Sequence, residues 1–320
     1  MLTAVADFGT NPGALDMYEY APADLPAGAP LVVVLHGCTQ TAAAMETAGW
    51  NTLADANHFA VVYPQQRSAN NPLSCFNWYD PVTEEQSILQ MVDHAIAAHQ
   101  LDTSRVFVTG LSAGGAMTAN LLAAYPDRFV AGSIMAGIPA GCATDVSTAT
   151  ACTGGVDKTP AQWGDLARAM KPGFTGPFPR VQIWQGSSDT TVSPGNAHAL
   201  VDQWTDVRGD DQTAATTMTV STATYTTYAS GAVELYMVNG MGHAVAVGDD
   251  SLGTCPATTG AYFTDEKICS PLRAALFFGI ADAGSGSGTT PPKSSGGGCD
   301  VGGAPSLLVL LGLLLRRLLR

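Results

Sequence analysis

The sequence predicts a protein of the α/β class, with one doubly wound, mostly parallel sheet and helices on both of its faces. Three observations lead to this prediction. Short runs of β-branched or apolar residues recur along the chain and are almost continuously hydrophobic, which is typical of parallel strands buried on both faces. Stretches with the period of an amphipathic helix separate these runs. Finally, 320 residues with 46% hydrophobic and 13% charged side chains are enough to bury a large core.

Six runs are predicted as strands, in chain order: Leu31–Leu35, Ala60–Tyr63, Arg105–Thr109, Gly132–Ala136, Val181–Trp184 and Glu234–Val238. The stretch Glu84–Gln100 is predicted as a helix because its apolar residues lie on one stripe and acidic residues occupy its first turn. Two more helices are predicted, at Gly115–Tyr125, which Pro126 ends, and at Asn196–Val207. Ligands of such folds bind at the carboxyl ends of the strands, so the functional residues are expected there.

The charge balance excludes one class of partner. The chain carries 14 Lys and Arg against 27 Asp and Glu, a formal net charge of −13. These few cations are dispersed, whereas a duplex-binding surface needs a basic stripe. The sequence therefore predicts no nucleic-acid partner. No cysteine has a second ligand at metal spacing, so we expect no metal site.

The cysteines indicate an oxidising compartment. Six of them lie within residues 1–270, an even number that fits three disulfides: Cys38, Cys75, Cys142, Cys152, Cys255 and Cys269. Six cysteines allow many pairings, among which the sequence alone does not choose. The pairs Cys142–Cys152 and Cys255–Cys269 would each close a short loop, which leaves Cys38 with Cys75. Free thiols buried in a cytosolic enzyme are the alternative.

The two ends of the chain differ from its body. Residues 1–282 are predicted as one domain, and residues 283–298 as a Gly/Ser/Pro-rich linker. Residues 299–320 contain Cys299, an apolar run too short to span a membrane, and terminal arginines. This order of parts resembles the C-terminal sorting signals of myxobacterial surface proteins; a frayed tail is the alternative.

That resemblance implies recognition by membrane sorting machinery and an extracellular or cell-surface location. The segment Met1–Asp7 conflicts with export, because it shows neither the basic region nor the apolar core of a signal peptide.

The strongest motif is Gly110–Gly115 (GLSAGG), between a predicted strand and a predicted helix. This is the context of a nucleophile elbow, in which a serine projects from a bend too tight for side chains two residues before and after it. The motif therefore predicts Ser112 as the nucleophile of an α/β-hydrolase fold. A Gly-rich connection with an incidental serine is the alternative.

A serine hydroxyl needs a neighbouring base to become a good nucleophile. His243 lies in the loop after the last predicted strand, where the chain order Ser, Asp, His places the base. We expect Gly240 and Gly242 to let this loop approach the nucleophile. Asp189 follows the fifth predicted strand and would hold His243 in one tautomer, although it could instead only form an Asx-turn. Three acidic residues on helices or away from a strand end are weaker candidates: Asp165, Asp202 and Asp206.

The residues after the first predicted strand supply the remaining part of the predicted active site, an oxyanion hole. A bend at His36–Thr39 can turn the backbone N–H of Cys38 toward the same point as the N–H of Ala113. Two such donors would stabilise the oxyanion of a tetrahedral intermediate by several kcal/mol. The sequence therefore predicts Cys38 and Ala113 as the oxyanion hole.

Seven segments resemble the polyhydroxybutyrate (PHB) depolymerase family of esterases, which includes related feruloyl and acetylxylan esterases. They follow the family's order along residues 8 to about 280: Phe8–Gly13, Leu35–Gln40, Cys75–Tyr79, Gly110–Met117, Ala136–Pro139, Ser188–Val192 and Gly240–Ala244. The resemblance implies Ser112, Asp189 and His243 as the triad, with the N–H groups of Cys38 and Ala113 as the oxyanion hole.

Two further residues enter through the resemblance. Trp78 resembles a residue that lines the family's active-site cleft, with a buried core position as the alternative. Members often have His where this chain has Gln185, and we expect that difference to affect loop packing rather than the triad.

The resemblance implies hydrolysis of an ester through an acyl-serine intermediate, without a metal or organic cofactor. The substrate implied first is a poly(3-hydroxyalkanoate) polyester or its oligomers, and a feruloylated or acetylated plant polysaccharide is the alternative. A surface-displayed binding protein on an inactive hydrolase scaffold is the alternative of another class. A serine peptidase of the same fold is a third reading.

Overall fold

Within residues 1–282, which the computed structural model describes, ten strands form the main sheet and two short strands form a second one. The strands are β1 (Thr3–Val5), β2 (Asp16–Tyr20), β3 (Leu31–Leu35), β4 (Ala60–Gln65), β5 (Val106–Leu111), β6 (Ala131–Met135), β7 (Arg180–Gly186), β8 (Thr216–Val220), β9 (Ala223–Tyr228), β10 (Val233–Val238), β11 (Val245–Val247) and β12 (Phe263–Asp265). The helices are α1 (Ala42–Glu46), α2 (Trp50–Asn57), α3 (Val82–His99), α4 (Ala113–Ala124), α5 (Val146–Gly154), α6 (Pro160–Met170), α7 (Gly195–Asp206) and α8 (Ser270–Phe278).

The six predicted strands form the parallel centre of the main sheet. The strand order is β1-β2-β4-β3-β5-β6-β7-β10-β9-β8. From β4 through β10 in this order, every neighbouring pair is parallel. The prediction of a mostly parallel α/β sheet is therefore confirmed. Because these strands run the same way, their carboxyl ends lie along one edge of the sheet, where such folds bind ligands.

Helices cover both faces of the sheet, and β3 shows why its sequence is continuously apolar. Leu31, Val33 and Leu35 belong to one buried core, whereas Val32 and Val34 belong to the other. Successive side chains of a strand point to opposite faces, so a strand covered on both sides needs apolar residues at every position. Residues of α3 to α7 complete the first core, and residues of α1, α2 and α8 complete the second.

Several element boundaries differ from the predictions. Strand β5 continues to Leu111, so it ends directly before the predicted nucleophile. Helix α4 begins at Ala113 rather than Gly115, and α3 begins at Val82 rather than Glu84. Glycine is a poor helix former, so the sequence pattern of α4 starts later than the helix itself.

The antiparallel strands at the two edges are not predicted from the sequence. Strands β1 and β2 extend the sheet beyond β4, and β9 and β8 extend it beyond β10. Every residue of β1 and β8 is exposed or only half-buried. Strands of this kind carry polar side chains and lack the continuous apolar run that marks the parallel centre.

Three disulfides cross-link the described chain. They are Cys38–Cys75, Cys142–Cys152 and Cys255–Cys269. The first ties the loop after β3 to the segment after β4. Among the described helices, none is both long and apolar enough to cross a membrane. The predicted linker at 283–298, and the predicted signal at 299–320 with Cys299, lie outside the described residues.

Candidate active site

Ser112 lies at a strained turn between β5 and α4. Its backbone has φ 59° and ψ −118°, a conformation that residues with a side chain rarely adopt. Strain of this kind costs about 1–3 kcal/mol and persists only where the surrounding structure enforces it. Here the Ser112 N–H donates to the carbonyl oxygen of Met135 in β6 at 2.9 Å. The turn therefore fixes the serine at the carboxyl edge of the sheet, at the N-terminus of α4.

Glycines two positions before and after Ser112 allow this turn to pack against β3. A Cβ at Gly110 would lie 2.5 Å from the carbonyl carbon and oxygen of Gly114. A Cβ at Gly114 would lie 2.6 Å from the carbonyl oxygens of Leu35 and His36. Because these neighbours are backbone atoms, neither position accepts a side chain unless the turn moves. The steric reason for the glycines of the motif is therefore present.

Asp189 lies in the turn after β7, and its side chain is fully enclosed. Its Oδ1 accepts hydrogen bonds from the N–H groups of Thr191 at 2.8 Å and Val192 at 2.9 Å. Its Oδ2 accepts hydrogen bonds from Nδ1 of His243 at 2.7 Å and from Nε2 of Gln185 at 3.0 Å. Donors on both oxygens fix the orientation of the carboxylate, as they do for the acid of a Ser–His–Asp triad.

The pKa of Asp189 reflects two opposed effects. Burial alone raises it, because an enclosed carboxylate loses its hydration. The hydrogen bonds from His243, Val192 and Thr191 outweigh burial and lower the pKa below its ordinary value. An ionised Asp189 places the imidazole proton of His243 on Nδ1 and leaves Nε2 with a lone pair. His243 can therefore accept a proton at Nε2.

The loop after β10 carries His243 and packs directly on the end of β7. A Cβ at Gly186 would lie 2.3 Å from the carbonyl oxygens of Met241 and Gly242. Gly186 therefore permits this loop to pack closely on β7. A Cβ at either of those two positions would meet no atom within 4 Å, although Gly240 adopts a φ of +78° that favours glycine.

Ser112 and His243 line one cavity of about 150 Å³, and Cys38, Gln40 and Tyr262 are among its other walls. The Ser112 hydroxyl has no hydrogen bond to His243 within the described residues. Catalytic hydrogen bonds are often long in the absence of substrate. The structure therefore brings the predicted nucleophile and base to one cavity and places the predicted acid in contact with the base.

Two backbone N–H groups beside Ser112 are free to bind a developing negative charge. Ala113 is the first residue of α4, so its N–H precedes the first intrahelical hydrogen bond. Within residues 1–282, neither this N–H nor that of Cys38 donates to another backbone or side-chain group. The N-terminus of α4 adds the favourable end of the helix dipole. Cys38 lines the cavity and Ala113 directly follows Ser112, so both predicted oxyanion donors lie close to the predicted nucleophile.

An uncharged network supports the loop that carries Cys38. His36 is fully buried, and its Nε2 accepts the N–H of Gln66 at 3.0 Å. Its Nδ1 consequently carries the proton and donates to the carbonyl oxygen of Gly37 at 2.7 Å. Burial lowers the pKa of His36 to about 4, so this ring is neutral near pH 7. The disulfide from Cys38 to Cys75 holds the same loop covalently.

Trp78 and Gln185 differ from the roles predicted first for them, and Tyr262 was not predicted from the sequence. Trp78 is 8% exposed, packs in the first core and is not among the residues that line the described cavity. Gln185 does more than pack its loop, because its amide reaches Asp189 itself. Tyr262 lines the cavity, with its ring centroid 6.2 Å from that of His243. It stands in a loop without a recognisable motif, so no signal in the sequence marks it.

Comparison with known proteins identifies the family. The family model described as "Esterase PHB depolymerase" matches residues 16–224. The chain is 49% identical over 290 residues to poly(3-hydroxyalkanoate) depolymerase C of Paucimonas lemoignei, and the match covers 87% of this chain and 70% of that protein. It is 38% identical over 224 residues to a probable acetylxylan esterase A of Neosartorya fischeri, covering 65% of this chain and 60% of that one.

Two further relatives match a larger share of their own length. Feruloyl esterase B of Thermothelomyces thermophilus is 33% identical over 267 residues, which cover 78% of this chain and 91% of that protein. The solved structure of acetyl xylan esterase from Aspergillus awamori superposes with a TM-score of 0.74 at 29% identity, covering 88% of this chain and all of that one. With the family model matching well over half of its length, the chain belongs to the PHB depolymerase family of esterases.

Proposed function

We propose that this protein hydrolyses ester bonds of poly(3-hydroxyalkanoates) or their oligomers through an acyl-serine intermediate. One observation carries the mechanism: the enclosed, hydrogen-bonded Asp189 contacts His243, which shares a cavity with Ser112 at its strained turn. The 49% identity to a poly(3-hydroxyalkanoate) depolymerase, over 87% of the chain, favours a polyester substrate.

The first half of the reaction transfers the acyl group to Ser112. The Ser112 oxygen attacks the ester carbonyl carbon while Nε2 of His243 takes the hydroxyl proton. The π electrons of the carbonyl group move onto its oxygen, which the N–H groups of Cys38 and Ala113 stabilise. When this intermediate collapses, the bond to the alcohol oxygen breaks, and the alcohol leaves with the proton from His243.

The second half regenerates the enzyme. Water attacks the acyl-serine carbonyl carbon, and His243 again removes the proton. Collapse of the second tetrahedral intermediate breaks the bond to the Ser112 oxygen, which recovers its proton from His243. The products are an alcohol and a carboxylic acid. Asp189 stays ionised throughout and stabilises the imidazolium that forms twice in the cycle.

Plant polysaccharide esters are the second candidate substrate. The acetyl xylan esterase structure superposes along its whole length, and feruloyl and acetylxylan esterases are among the relatives. The shared scaffold fits both substrate classes, because fold and triad do not fix the ester that is bound.

The test measures how the 320-residue chain clears a turbid suspension of amorphous poly(3-hydroxybutyrate), with Ser112→Ala as the control. We expect clearing by the parent and none by the variant. Cleavage of p-nitrophenyl butyrate, acetylated xylan and methyl ferulate is measured beside it. If the parent does not clear the polyester suspension but cleaves acetylated xylan or methyl ferulate, the favoured substrate is an ester of a plant cell-wall polysaccharide. A folded parent that cleaves no ester would contradict the proposal and favour the inactive-scaffold alternative.

We also propose that the protein works outside the cell. The three disulfides support this location, since such bonds persist in oxidising compartments. Anchoring at the cell surface through residues 299–320 is a further proposal that rests on the order of parts in that segment. Fractionation of cells that produce the chain with and without residues 299–320 tests it, and an unchanged distribution between membrane and medium would contradict anchoring.

A further inference from the structure

Gln40, in the wall of the cavity, has a hydrogen-bond donor without a partner among residues 1–282. The residue is 5% exposed and lines the cavity together with Ser112. Its Nε2 is buried and makes no hydrogen bond within the described residues. An unpaired buried donor destabilises the folded state, so it calls for an explanation where it occurs in a native structure. Among the described buried side-chain atoms that lack a hydrogen-bond partner, only Nε2 of Gln40 belongs to a residue that lines this cavity.

The orientation of the Gln40 amide is fixed by its own loop. The backbone N–H of Gly37 lies 2.8 Å from Oε1 of Gln40. A backbone N–H can only donate, so the oxygen of the amide must face Gly37 and the NH₂ group must face away from it. The N–H of Gln40 in turn donates to the carbonyl oxygen of Gly37 at 3.2 Å. These two hydrogen bonds fix the amide and turn its two N–H bonds away from Gly37.

The amide lies on the nucleophile's side of this loop. A Cβ built on Gly37 would come within 3.0 Å of Oε1 of Gln40 and within 3.4 Å of the Ser112 Cβ. Gly37 is also the residue directly before Cys38, whose N–H is one of the two free backbone donors. Gln40 and Cys38 thus line one cavity with Ser112, and Ala113, which carries the second backbone donor, directly follows Ser112 in the chain.

We propose that Gln40 is a catalytic residue that supplies the third donor of the oxyanion hole. This inference rests on the proposed ester hydrolysis. When the Ser112 oxygen attacks the carbonyl carbon, the electron pair that moves onto the carbonyl oxygen accepts a hydrogen bond from Nε2 of Gln40, beside those from Cys38 and Ala113. Gln40 gives up no proton in this step. Its unpaired donor in the resting enzyme is consistent with this role, because preorganised donors act where charge develops in the transition state.

The test compares Gln40→Glu with Gln40→Met, using kcat and KM for p-nitrophenyl butyrate. Glutamate keeps an oxygen for the Gly37 N–H and loses the donor, whereas methionine loses both at similar size. We expect kcat to fall about 10²–10³-fold in both variants with KM within about threefold of the parent, since one oxyanion donor has an effect of this size. The carboxylate of Gln40→Glu would itself repel the oxyanion, so folded Gln40→Met decides. A purely structural Gln40 would lower the melting temperature of Gln40→Met and leave its kcat within threefold of the parent.

A spectroscopic readout follows the oxyanion directly. A ¹³C-labelled trifluoromethyl ketone adds to Ser112 as a hemiketal, whose hydroxyl pKa is lowered by the donors around it. We expect this pKa to be higher in Gln40→Glu and Gln40→Met than in the parent. The matched control is Gln203→Met, which removes a buried amide bound to Ala140 and Trp163 and absent from this cavity. This control should lower the melting temperature and leave kcat and the hemiketal pKa unchanged.

The results distinguish a failure of the proposed ester hydrolysis from a failure of the role proposed for Gln40. The parent and Ser112→Ala are compared first. Activity of the parent that is lost in Ser112→Ala supports ester hydrolysis, and only then are the Gln40 variants interpreted. Gln40→Glu with kcat within threefold of an active parent, and an unchanged hemiketal pKa, would overturn the role of Gln40. If Gln40→Met does not fold, Gln40→Ala takes its place, because it also removes the donor and adds no charge beside the oxyanion.

Discussion

The two walls of the candidate active-site cavity are built from different chemical groups. The wall after β7 and β10 contains His243, and behind it the enclosed, ionised carboxylate of Asp189 contacts the imidazole. The wall after β3 contains the loop of Cys38 and Gln40, supported by the neutral ring of His36. The first wall is held by charge-assisted hydrogen bonds, and the second by neutral hydrogen bonds and a disulfide.

The difference follows from what each wall does in the proposed reaction. In the first wall His243 accepts and releases a proton, so this wall needs a fixed negative charge that stabilises the imidazolium. Negative charge develops against the second wall, where a carboxylate would repel it and preorganised N–H groups stabilise it. Breaking the two walls should therefore produce different defects, the first in proton transfer and the second in the position of the oxyanion donors.

The largest effect is expected from Asp189→Asn in the charged wall. The amide keeps the size of the side chain but lets the wrong tautomer of His243 form, so Nε2 no longer accepts a proton. Loss of the charge should lower kcat for p-nitrophenyl butyrate by about 10⁴-fold, with little change in KM. A loss below tenfold would contradict the assignment of Asp189 as the triad acid.

The matched control in the same wall is Gln185→Met. It removes the other donor to the same oxygen of Asp189 and leaves the charge in place. We expect kcat to fall by about tenfold, in keeping with one lost hydrogen bond to a charged group. Equal losses in the two variants would mean that geometry rather than charge dominates this wall.

The second effect concerns the neutral wall and is expected from the double variant Cys38→Ser with Cys75→Ser. Removal of this disulfide should lower the free energy of unfolding by about 2–5 kcal/mol, measured by urea denaturation. It should also lower kcat, because the loop that carries the proposed oxyanion donor Cys38 loses its covalent tie. Cys142→Ser with Cys152→Ser breaks a disulfide whose cysteines do not line this cavity, so it should lower stability and preserve kcat. Unchanged kcat in both variants would show that the hydrogen bonds alone hold the neutral wall.

The smallest effect is a pH dependence of stability set by two buried groups. Burial lowers the pKa of His36 from 6.5 to about 4. Between these values the unfolded state binds more protons, so this group makes the free energy of unfolding rise with pH. Burial, and then the charge of Glu84, raise the pKa of Glu85 from 4.5 to about 7. Between those values the folded state binds more protons, so Glu85 makes the free energy of unfolding fall as pH rises.

The two contributions therefore oppose each other between about pH 4.5 and 6.5. Glu85→Gln removes the second and should make the free energy of unfolding rise with pH more steeply than in the parent. The difference in slope should approach about 1.4 kcal/mol per pH unit. Urea denaturation at pH 5, 6 and 7 measures it, and parallel curves for parent and variant would contradict the neutral state of Glu85.

Local sequence was enough to predict the centre of the fold and the order of the candidate site residues. Runs such as Leu31–Leu35 are apolar at every position because both of their faces are buried, and that pattern needs no knowledge of neighbours. The elbow around Ser112 is also local, since its glycines lie within two residues of the serine. Asp189 and His243 could be placed because parallel strands bring their carboxyl ends to one edge.

Contacts between distant segments were decided only by the tertiary structure. Gly186 makes room for the His243 loop, Tyr262 lines the same cavity as His243, and so does Gln40, whose Nε2 has no hydrogen bond within residues 1–282. None of these relations has a period or a motif, because each depends on how one loop packs on another. The exposed edge strands escaped prediction for a related reason: partners in the sheet, rather than an apolar pattern of their own, determine them. The sequence thus determined which chemical groups meet at the edge of the sheet, and packing determined which atoms face them.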